Sequence, residues 1–171
     1  MTERLILRRP VEGDAEAIFT RYASDRDVTR YLGWPRHETL DQTRAFLTFS
    51  EAEWERWPAG PYLIELRKSG ALIGSSGFAF QSATEAATGY VLARDAWGRG
   101  YATEALLALT GIAAALGLRR LYALCHAEHI ASQRVLEKCG FLLDSGSERH
   151  ADFPNLEPSA RRDALCYLRK F

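Results

Sequence analysis

The sequence predicts a fold of mixed α+β or α/β type, in which helices cover both faces of one sheet. The chain has 171 residues, the length of one domain, so residues 1–171 are expected to form a single domain. Hydrophobic residues make up 47% of it, which is enough to build a core. The apolar spacing alternates between helical and strand periods in the order β-α-α-β-β-β-α-β-α-β-β, which is typical of a sheet flanked by helices.

The first half of the chain predicts a strand, two helices and three adjacent strands. A strand over Arg4–Pro10 ends at proline, and Asp14 is the predicted N-cap of a helix over Gly13–Ser24. A second helix covers Thr39–Trp57, and Pro58 stops it. Alternating apolar residues then predict three strands, the first two joined by the turn KSG: Pro61–Arg67, Ala71–Phe80 and Ala87–Arg94.

The second half predicts two further helices and three strands. A helix from about Thr103 to Leu116 presents one apolar face, and Gly117 is a natural stop for it. A second, shorter helix covers Ile130–Gly140 and also closes at glycine. Three strands are predicted around these helices: one over Arg119–His126, one that begins in Phe141–Gly146, and a final one over Asp163–Phe171.

Charge and cysteine content exclude several classes of protein. Lys and Arg total 22 and Asp and Glu total 22, and this balance argues against a chain that wraps nucleic acid. The apolar runs are too short for a signal peptide or a membrane helix, so we expect a cytoplasmic protein without a membrane partner. The three cysteines, Cys125, Cys139 and Cys166, lack zinc-site spacing, which predicts free thiols and no metal site.

A glycine pair precedes the longest apolar helix, in the stretch DAWGRGYATEALLALTGIAAALG. The P-loop of nucleotide hydrolases needs a lysine after its last glycine, and none follows Gly100. A dinucleotide fingerprint needs a third glycine where Thr103 stands and an acidic residue near Leu118. Two interpretations remain: a tight strand-to-helix turn without a ligand, or a loop that an anion approaches closely at a helix N-terminus.

Ordered blocks along nearly the whole chain resemble the GCN5-related N-acetyltransferase (GNAT) superfamily, and within it the branch of the ribosomal-protein N-terminal acetyltransferases RimJ and RimL. The blocks are the opening RLILRRP and GDAEAIF, then GYVL, WGRGYATEAL, the segment Ala131–Phe141, and RRDALCY at Arg161–Tyr167. The resemblance implies an α+β fold. Its mixed, mostly antiparallel twisted sheet has about 6–7 strands with about 4 flanking helices, and it splays between strands 4 and 5.

The resemblance further implies acetyl-CoA as cosubstrate, without a metal. The family's coenzyme loop, [Q/R]-x-x-G-x-[G/A], corresponds to WGRGYA, with Trp97 at the position of the glutamine or arginine. Unsatisfied N–H groups and the dipole at a helix N-terminus suit a pyrophosphate, and glycine lets it approach the backbone. Arg99 either contacts a phosphate or is an exposed turn residue, and Thr103 either caps the helix or reaches a phosphate. The residues expected to bind the coenzyme are Val91, Leu92, Ala93, Trp97, Gly98, Arg99, Gly100, Tyr101, Ala102, Thr103, His129 and Ser132.

The implied chemistry is direct attack of a neutral primary amine on the acetyl thioester. Backbone N–H groups at residues 91–93 are expected to bind the thioester oxygen. The position of the tyrosine that protonates the thiolate in many members holds Leu136, so Ser132 is the candidate donor, or else a coenzyme contact. His129 replaces the branch's asparagine and either bonds the coenzyme arm or titrates near neutral pH.

The general base is open among three carboxylates and water. Glu85 precedes the fourth strand and is the first candidate. Glu148 and Asp152, which follow the strand that begins at Phe141, are the alternatives. An α-amine, with a pKa near 7.7–8.0, needs a base less than a lysine, with a pKa near 10.4. A water molecule without a dedicated base therefore stays among the candidates.

Aromatic residues concentrate between the first helices, where an acceptor pocket is expected. They either shape that cleft or pack a helical flap; the candidates are Tyr31, Trp34, His37, Trp54 and Trp57. The leading hypothesis is an acetyl-CoA-dependent N-acetyltransferase acting on a protein or peptide N-terminal α-amine. The alternatives are an acetyltransferase for a small amine, of polyamine or aminoglycoside type, and a non-catalytic acyl-CoA-binding regulatory module. Dimers occur in the family, which leaves a homodimer open.

Overall fold

A computed structural model gives the fold, and it describes residues 1–158, 160 and 163–171. Arg161 and Arg162, which open the last block of resemblance, lie outside the described residues. The strands are β1 (Leu5–Arg8), β2 (Pro61–Leu66), β3 (Leu72–Ser82), β4 (Glu85–Leu92), β5 (Arg120–His126), β6 (Leu142–Leu143) and β7 (Ala164–Lys170). The α-helices are α1 (Ala15–Ile18), α2 (Arg26–Thr29), α3 (Leu40–Arg56), α4 (Tyr101–Ala115) and α5 (Ile130–Lys138).

The strands form a 7-stranded sheet in the order β1-β2-β3-β4-β5-β7-β6. Neighbouring strands are antiparallel except β4 and β5, which are parallel and pair only over Glu85–Ala87 against Arg120–Tyr122. Beyond Ala87 the two strands are no longer hydrogen-bonded to each other, and the sheet opens there. The predicted α+β fold, with its splay between strands 4 and 5, is therefore confirmed.

Helices cover both faces of the sheet, as predicted. Successive side chains of a strand point to opposite faces. Leu63 packs with Ile18 and Leu47, so α1 and α3 lie on one face. The next residue, Ile64, packs in the cluster that holds Ala105 of α4 on the other face. A third cluster joins α4 and α5 to β5. Each of the three clusters contains fully buried aliphatic or aromatic side chains.

Several element boundaries differ from the sequence prediction. The helix predicted over Gly13–Ser24 is present as continuous helical turns, but only α1 is α-helical: a 3-10 turn over Glu12–Asp14 precedes it and a π-helical turn over Phe19–Ala23 follows it. The stretch between the first two predicted helices contains α2, because Asp25 Oδ1 accepts hydrogen bonds from the N–H groups of Asp27 and Val28 and caps a helical turn. Helix α4 begins at Tyr101 rather than Thr103, since the left-handed Gly100 is its N-cap.

Within the described residues, no helix is long and apolar enough to span a bilayer. Cys125, Cys139 and Cys166 are free and buried, as the sequence predicts.

Candidate active site

The glycine loop connects the open end of β4 to the N-terminus of α4. Gly98 and Gly100 have φ of 71° and 78°, in the left-handed region that disfavours residues with a Cβ. The indole Nε1 of Trp97 donates a hydrogen bond to the carbonyl of Leu92 at 2.8 Å, which ties the loop to the end of β4. The backbone conformation of the two glycines therefore fixes the loop, and the hydrogen bond of the Trp97 indole stabilises it.

The N-terminal segment of the chain holds the loop from the other side. Glu104, in the first turn of α4, accepts hydrogen bonds from Thr2 Oγ1 at 2.6 Å and from Arg4 Nε at 2.6 Å. Arg4 Nη1 donates to the carbonyl of Arg99 at 3.0 Å. Burial raises the pKa of Glu104, but the hydrogen bonds from Thr2 and Arg4 outweigh this and hold the pKa below its ordinary value. Sequence reasoning missed Thr2 and Arg4, because contacts across about a hundred residues leave no local signal.

The loop and helix start fit the diphosphate of a coenzyme. The first N–H groups of a helix have no intrahelical partner and carry a partial positive charge. Arg99 is exposed beside them, and a guanidinium nitrogen of Arg4 lies 3.5 Å from where a Cβ on Gly100 would stand. Backbone donors, two arginines and the absence of side chains on Gly98 and Gly100 are the features that bind and admit phosphate.

A cavity of about 500 Å³ occupies the splay between β4 and β5. On the side of the splay its walls include Ala87–Val91 and Tyr122–Cys125, with Leu106 of α4 and Leu136 of α5. Among the residues that the structure describes, the lining consists of apolar, aromatic and neutral polar side chains. Leu136, at the position of the family's tyrosine, is thus an apolar wall of this cavity.

The hydroxyl groups of Tyr90 and Ser132 meet across the cavity. Tyr90 Oη, from β4, donates to Ser132 Oγ, on the first turn of α5, at 3.1 Å. Burial raises the pKa of Tyr90 to about 12, although the hydrogen bond to Ser132 works against this, so the phenol stays protonated. Because Tyr90 supplies the proton of this bond, the Ser132 hydroxyl proton is free to be donated elsewhere. Tyr90 lies in the block GYVL, but the resemblance places the family's tyrosine on the helix, so the role of Tyr90 was not predicted from the sequence.

Ser132 and His129 both lie at the start of α5, where His129 is the N-cap. The His129 ring stacks on Tyr31 with 4.8 Å between centroids, and both residues line the cavity. Burial lowers the pKa of His129, and the neighbouring His126 adds to this. His126 is held by two hydrogen bonds: its Nδ1 bonds the N–H of Glu128 at 3.1 Å, and its Nε2 bonds the carbonyl of Ala160 at 2.8 Å. His129 is therefore favoured in its neutral form, able to accept a proton.

Glu85 lies at the closed end of the β4–β5 junction, away from the cavity lining. It stands opposite Arg120 in the strand register, and its carboxylate forms ion pairs with Arg120 and Arg149. The structure therefore gives this predicted base two charged partners and does not place it with Ser132 and His129. Glu148 and Asp152 are both exposed.

The backbone hydrogen bonds of β4 distinguish among residues 91–93, whose N–H groups are the predicted donors to the thioester oxygen. The Ala93 N–H donates to the carbonyl of Ile73 on β3 at 2.8 Å. N–H groups of successive strand residues point to alternate sides, so the N–H of Leu92 points away from β3 toward the splay. Of the predicted set 91–93, Leu92 is thus the residue whose N–H does not point toward β3.

The five predicted acceptor residues divide into two groups. Tyr31 and Trp34 line the first cavity, and His37 with Trp34 lines a second cavity of about 410 Å³. Trp54 instead donates from Nε1 to the carbonyl of Pro61 at 2.8 Å, and Trp57 stacks on Phe80 at 5.1 Å. Sequence reasoning missed further aromatic wall residues, which include Phe46, Phe49 and Phe153.

Comparison with known proteins places this geometry in a family. The family model described as "Acetyltransferase (GNAT) domain" matches residues 4–142. An uncharacterized N-acetyltransferase of Bacillus subtilis (strain 168), YoaA, is 35% identical over 143 residues, which is 82% of this chain and 80% of that protein. A crystal structure of an acetyltransferase from Agrobacterium tumefaciens str. C58 has a TM-score of 0.79 and 29% identity, covering 100% of this chain and 93% of that one.

A further solved structure extends the likeness in fold. RimL, the ribosomal L7/L12 alpha-N-protein acetyltransferase in complex with coenzyme A, has a TM-score of 0.84 at 22% identity, over 99% of this chain and 96% of that chain. At this identity the likeness concerns the fold alone. The family match over most of the chain and the identity to YoaA go further: this chain belongs to the GNAT family of N-acetyltransferases.

Proposed function

We propose that this protein, acting as a single domain over residues 1–171, transfers the acetyl group of acetyl-CoA to the α-amine of a protein or peptide N-terminus. The observation that carries the choice of acceptor is the uncharged lining of the cavity between β4 and β5, with a neutral histidine in it. The family membership carries the choice of reaction.

The coenzyme is proposed to bind along the glycine loop and into the splay. Its diphosphate would meet the backbone N–H groups at the start of α4, together with Arg4 and Arg99. The N–H of Leu92 would donate to the thioester oxygen. RimL in complex with coenzyme A and the immunity acetyltransferase MccE in complex with acetyl-CoA and AMP share this fold, with TM-scores of 0.84 and 0.82, which supports the assignment.

The acceptor is proposed to be an amine of low basicity. An α-amine has a pKa near 7.7–8.0, whereas a lysine amine has a pKa near 10.4 and needs a stronger base. The basic side chain beside Ser132 is a neutral His129, which suits the weaker requirement. A polyamine or aminoglycoside would bring several ammonium groups against neutral walls, and burying unpaired charges is costly. The lining therefore favours the α-amine.

Each proposed step uses a side chain or backbone group of this site. When bound, acetyl-CoA supplies the acetyl thioester, and the reaction yields an N-acetyl group and a free thiol. His129 accepts the proton that the amine loses. As the C–S bond breaks, Ser132 Oγ donates its proton to the departing thiolate, and Tyr90 Oη, already hydrogen-bonded to Ser132 Oγ, stabilises the serine oxygen. The proton that His129 took from the amine then returns to Ser132 through solvent, which restores both side chains.

A thiol-release assay with acetyl-CoA tests the proposal with three acceptors. They are a peptide with a free N-terminus and no lysine, the same peptide N-terminally blocked and carrying one lysine, and a polyamine. We expect turnover with the first and little with the other two. Faster turnover of the polyamine would establish the small-amine alternative. Tight coenzyme binding without turnover of any acceptor would establish the regulatory module.

A further inference from the structure

A turn in the segment between β6 and β7 carries Asn155 to the loop that follows α2. Pro154 and Asn155 are its central residues, and the N–H of Leu156 closes it by donating to the carbonyl of Phe153 at 3.1 Å. Proline presets the backbone at the second position of such a turn. The sequence FPNL therefore fixes the position of Asn155 locally, before any contact with the rest of the chain.

The side-chain amide of Asn155 forms three hydrogen bonds, all with backbone groups of the loop after α2. Its Oδ1 accepts from the N–H of Arg36 at 2.8 Å. Its Nδ2 donates to the carbonyl of Thr29 at 2.8 Å and to that of Trp34 at 2.9 Å. Residues 30–39 form no helix or strand, so their backbone groups need partners of this kind. Asn155 thus holds both ends of a loop that has no regular structure of its own.

The two segments that Asn155 joins are both walls of the first cavity. Residues 31–34, which lie between the bonded groups of the loop, line that cavity. Ala151 and Phe153, from the segment that contains Asn155, line it as well. The three hydrogen bonds therefore set the distance between two walls of the proposed reaction centre.

The ring of Tyr31 is the part of this loop that reaches the proposed base. It stacks on His129 with 4.8 Å between centroids and on His126 with 5.2 Å, each at an interplanar angle of 24°. Phe153 meets His126 edge-on at 5.1 Å, so the segment of Asn155 also supports the other end of the stack. Among the described residues, no hydrogen bond holds the His129 ring, and its stack on Tyr31 orients it.

We propose that Asn155 is a positioning residue: by fixing the loop after α2, it holds Tyr31 against His129 and keeps the imidazole where it accepts the proton of the attacking amine. The proposal rests on the proposed function, since it takes His129 to be the base. Asn155 itself touches neither substrate, and it acts through Tyr31.

Removing the amide should change the rate of acetyl transfer and the titration of His129. Asn155→Ala should lower kcat for an N-terminal peptide about tenfold, since part of the contribution of a general base is lost when the base is misplaced. The KM for acetyl-CoA should stay constant, because Asn155 is distant in the fold from the glycine loop.

The pH profile gives a readout that a loss of stability alone does not move. Two ionisable rings face His129: Tyr31 stacks on it, and His126 adds to the effect of burial on its pKa. When the stack loosens, water reaches the His129 ring and its pKa should rise toward the ordinary 6.5. Proton NMR of the four histidines measures this without substrate, with His129→Asn to assign the signal.

Asp14→Ala is the matched control for stability. The Asp14 carboxylate also accepts three hydrogen bonds, two from Arg8 at 2.8 and 2.6 Å and one from the N–H of Val11 at 2.8 Å. Asp14 lines neither cavity. The control should therefore lower the melting temperature at least as much as Asn155→Ala, while kcat and the titration of His129 stay at their wild-type values.

A double-mutant cycle tests whether Asn155 acts through Tyr31. Tyr31→Ala should lower kcat about tenfold, and adding Asn155→Ala should lower it no further, whereas independent effects would multiply to about 100-fold. Should the alanine variant fail to fold, Asn155→Asp takes its place in the cycle, because it keeps the size of the side chain and the acceptor for the N–H of Arg36.

Three results would overturn the assignment. Wild-type kcat in Asn155→Ala overturns it alone, and so do effects of Asn155 and Tyr31 that multiply, with peptide acetylation by the wild type intact in both cases. Failure of the wild type to acetylate any peptide overturns the proposed function and this assignment with it.

Discussion

The glycine loop and the aromatic cleft are built by different means. The loop is fixed by the left-handed backbone of Gly98 and Gly100 and by hydrogen bonds to Arg4 and Trp97. The cleft is assembled from neutral side chains of several elements, and its polar groups include the hydroxyls of Tyr90, Ser132 and Ser75 with two histidines.

Under the proposed function, backbone N–H groups recognise the coenzyme, whereas side chains recognise the acceptor. A backbone loop binds phosphate through N–H groups that any sequence provides, so it suits the coenzyme that every cycle uses. Side chains on the cleft walls can change without disturbing that loop. We therefore expect selectivity for the acceptor to depend on wall residues such as Trp34 rather than on the glycine motif.

Replacing Gly100 by valine should produce the largest effect on the loop. A β-branched residue at φ +78 is strained, and its side chain would occupy the approach to the helix N-terminus. We expect coenzyme binding, measured by isothermal titration calorimetry, to be abolished. Gly111→Ala is the matched control, because Gly111 is exposed within α4 and an added Cβ meets nothing within 4 Å. Wild-type affinity in the Gly100 variant would refute the loop assignment.

Removing the Ser132 hydroxyl tests the catalytic wall of the cleft. Ser132→Ala should lower kcat about 100-fold, the usual contribution of a general acid, with coenzyme affinity retained. Tyr90→Phe should lower kcat less, about tenfold, because it removes the hydrogen bond that supports the serine oxygen. Steady-state kinetics of both variants decide the point, and a Ser132 variant with wild-type kcat would remove this residue from the mechanism.

The pH profile tests the role of His129. Burial lowers the pKa of His129 below the ordinary 6.5. Wild-type kcat/KM should therefore decrease as the pH falls through the pKa of His129, because the ring becomes protonated there. His129→Asn should abolish this limb, lower kcat by about tenfold and leave the limb of the amine itself. The unfolded state binds protons more readily than the folded one, so stability should also decrease below pH 6.5, and less so in the variant. An unchanged pH profile in His129→Asn would identify another base.

A smaller effect is expected from the N-terminal support of the loop. Arg4→Ala removes the hydrogen bonds to Glu104 and to the Arg99 carbonyl. The KM for acetyl-CoA should rise about fivefold, while the KM for the peptide stays constant. Arg44→Ala, at an exposed ion pair on α3, provides the control with no change in either constant. A larger change in the peptide KM would mean that the loop and the cleft are not independent.

The smallest effect on activity is expected from Trp54. Trp54→Phe removes the hydrogen bond to the Pro61 carbonyl and should lower the free energy of unfolding by about 1 kcal/mol. Peptide KM should not change, in contrast to Trp34→Ala, which removes a wall shared by both cavities. Chemical denaturation and peptide kinetics measure the two effects. A raised peptide KM in Trp54→Phe would return this residue to the acceptor site.

Features with a local sequence signal were predictable. Strand alternation and helical spacing gave the element order, and the glycine pair located the turn before α4. The same signals could not fix the start of β4, because Glu85 is drawn into the strand by its register opposite Arg120. That register, absent from the sequence, is also why a carboxylate predicted as a base is found in ion pairs.

Contacts between distant segments were beyond the sequence. Nothing near Arg4 indicates that Glu104 will accept its N–H groups, and nothing near Tyr90 indicates a serine hydroxyl at 3.1 Å. The sequence also did not indicate which aromatic residues line the cleft and which pack in the core. Trp34 and Trp54 have the same chemistry, and only the direction that each takes from its backbone assigns one to the cleft and the other to the core.

The most direct test of the account uses one peptide that carries a free N-terminus and a single internal lysine. After reaction with acetyl-CoA and the protein, fragmentation mass spectrometry locates the added acetyl group. The neutral cleft with His129 as its base predicts acetylation at the α-amine, with the lysine unmodified. Acetylation at the lysine would contradict the account, because that product requires a site that binds and deprotonates a far more basic amine.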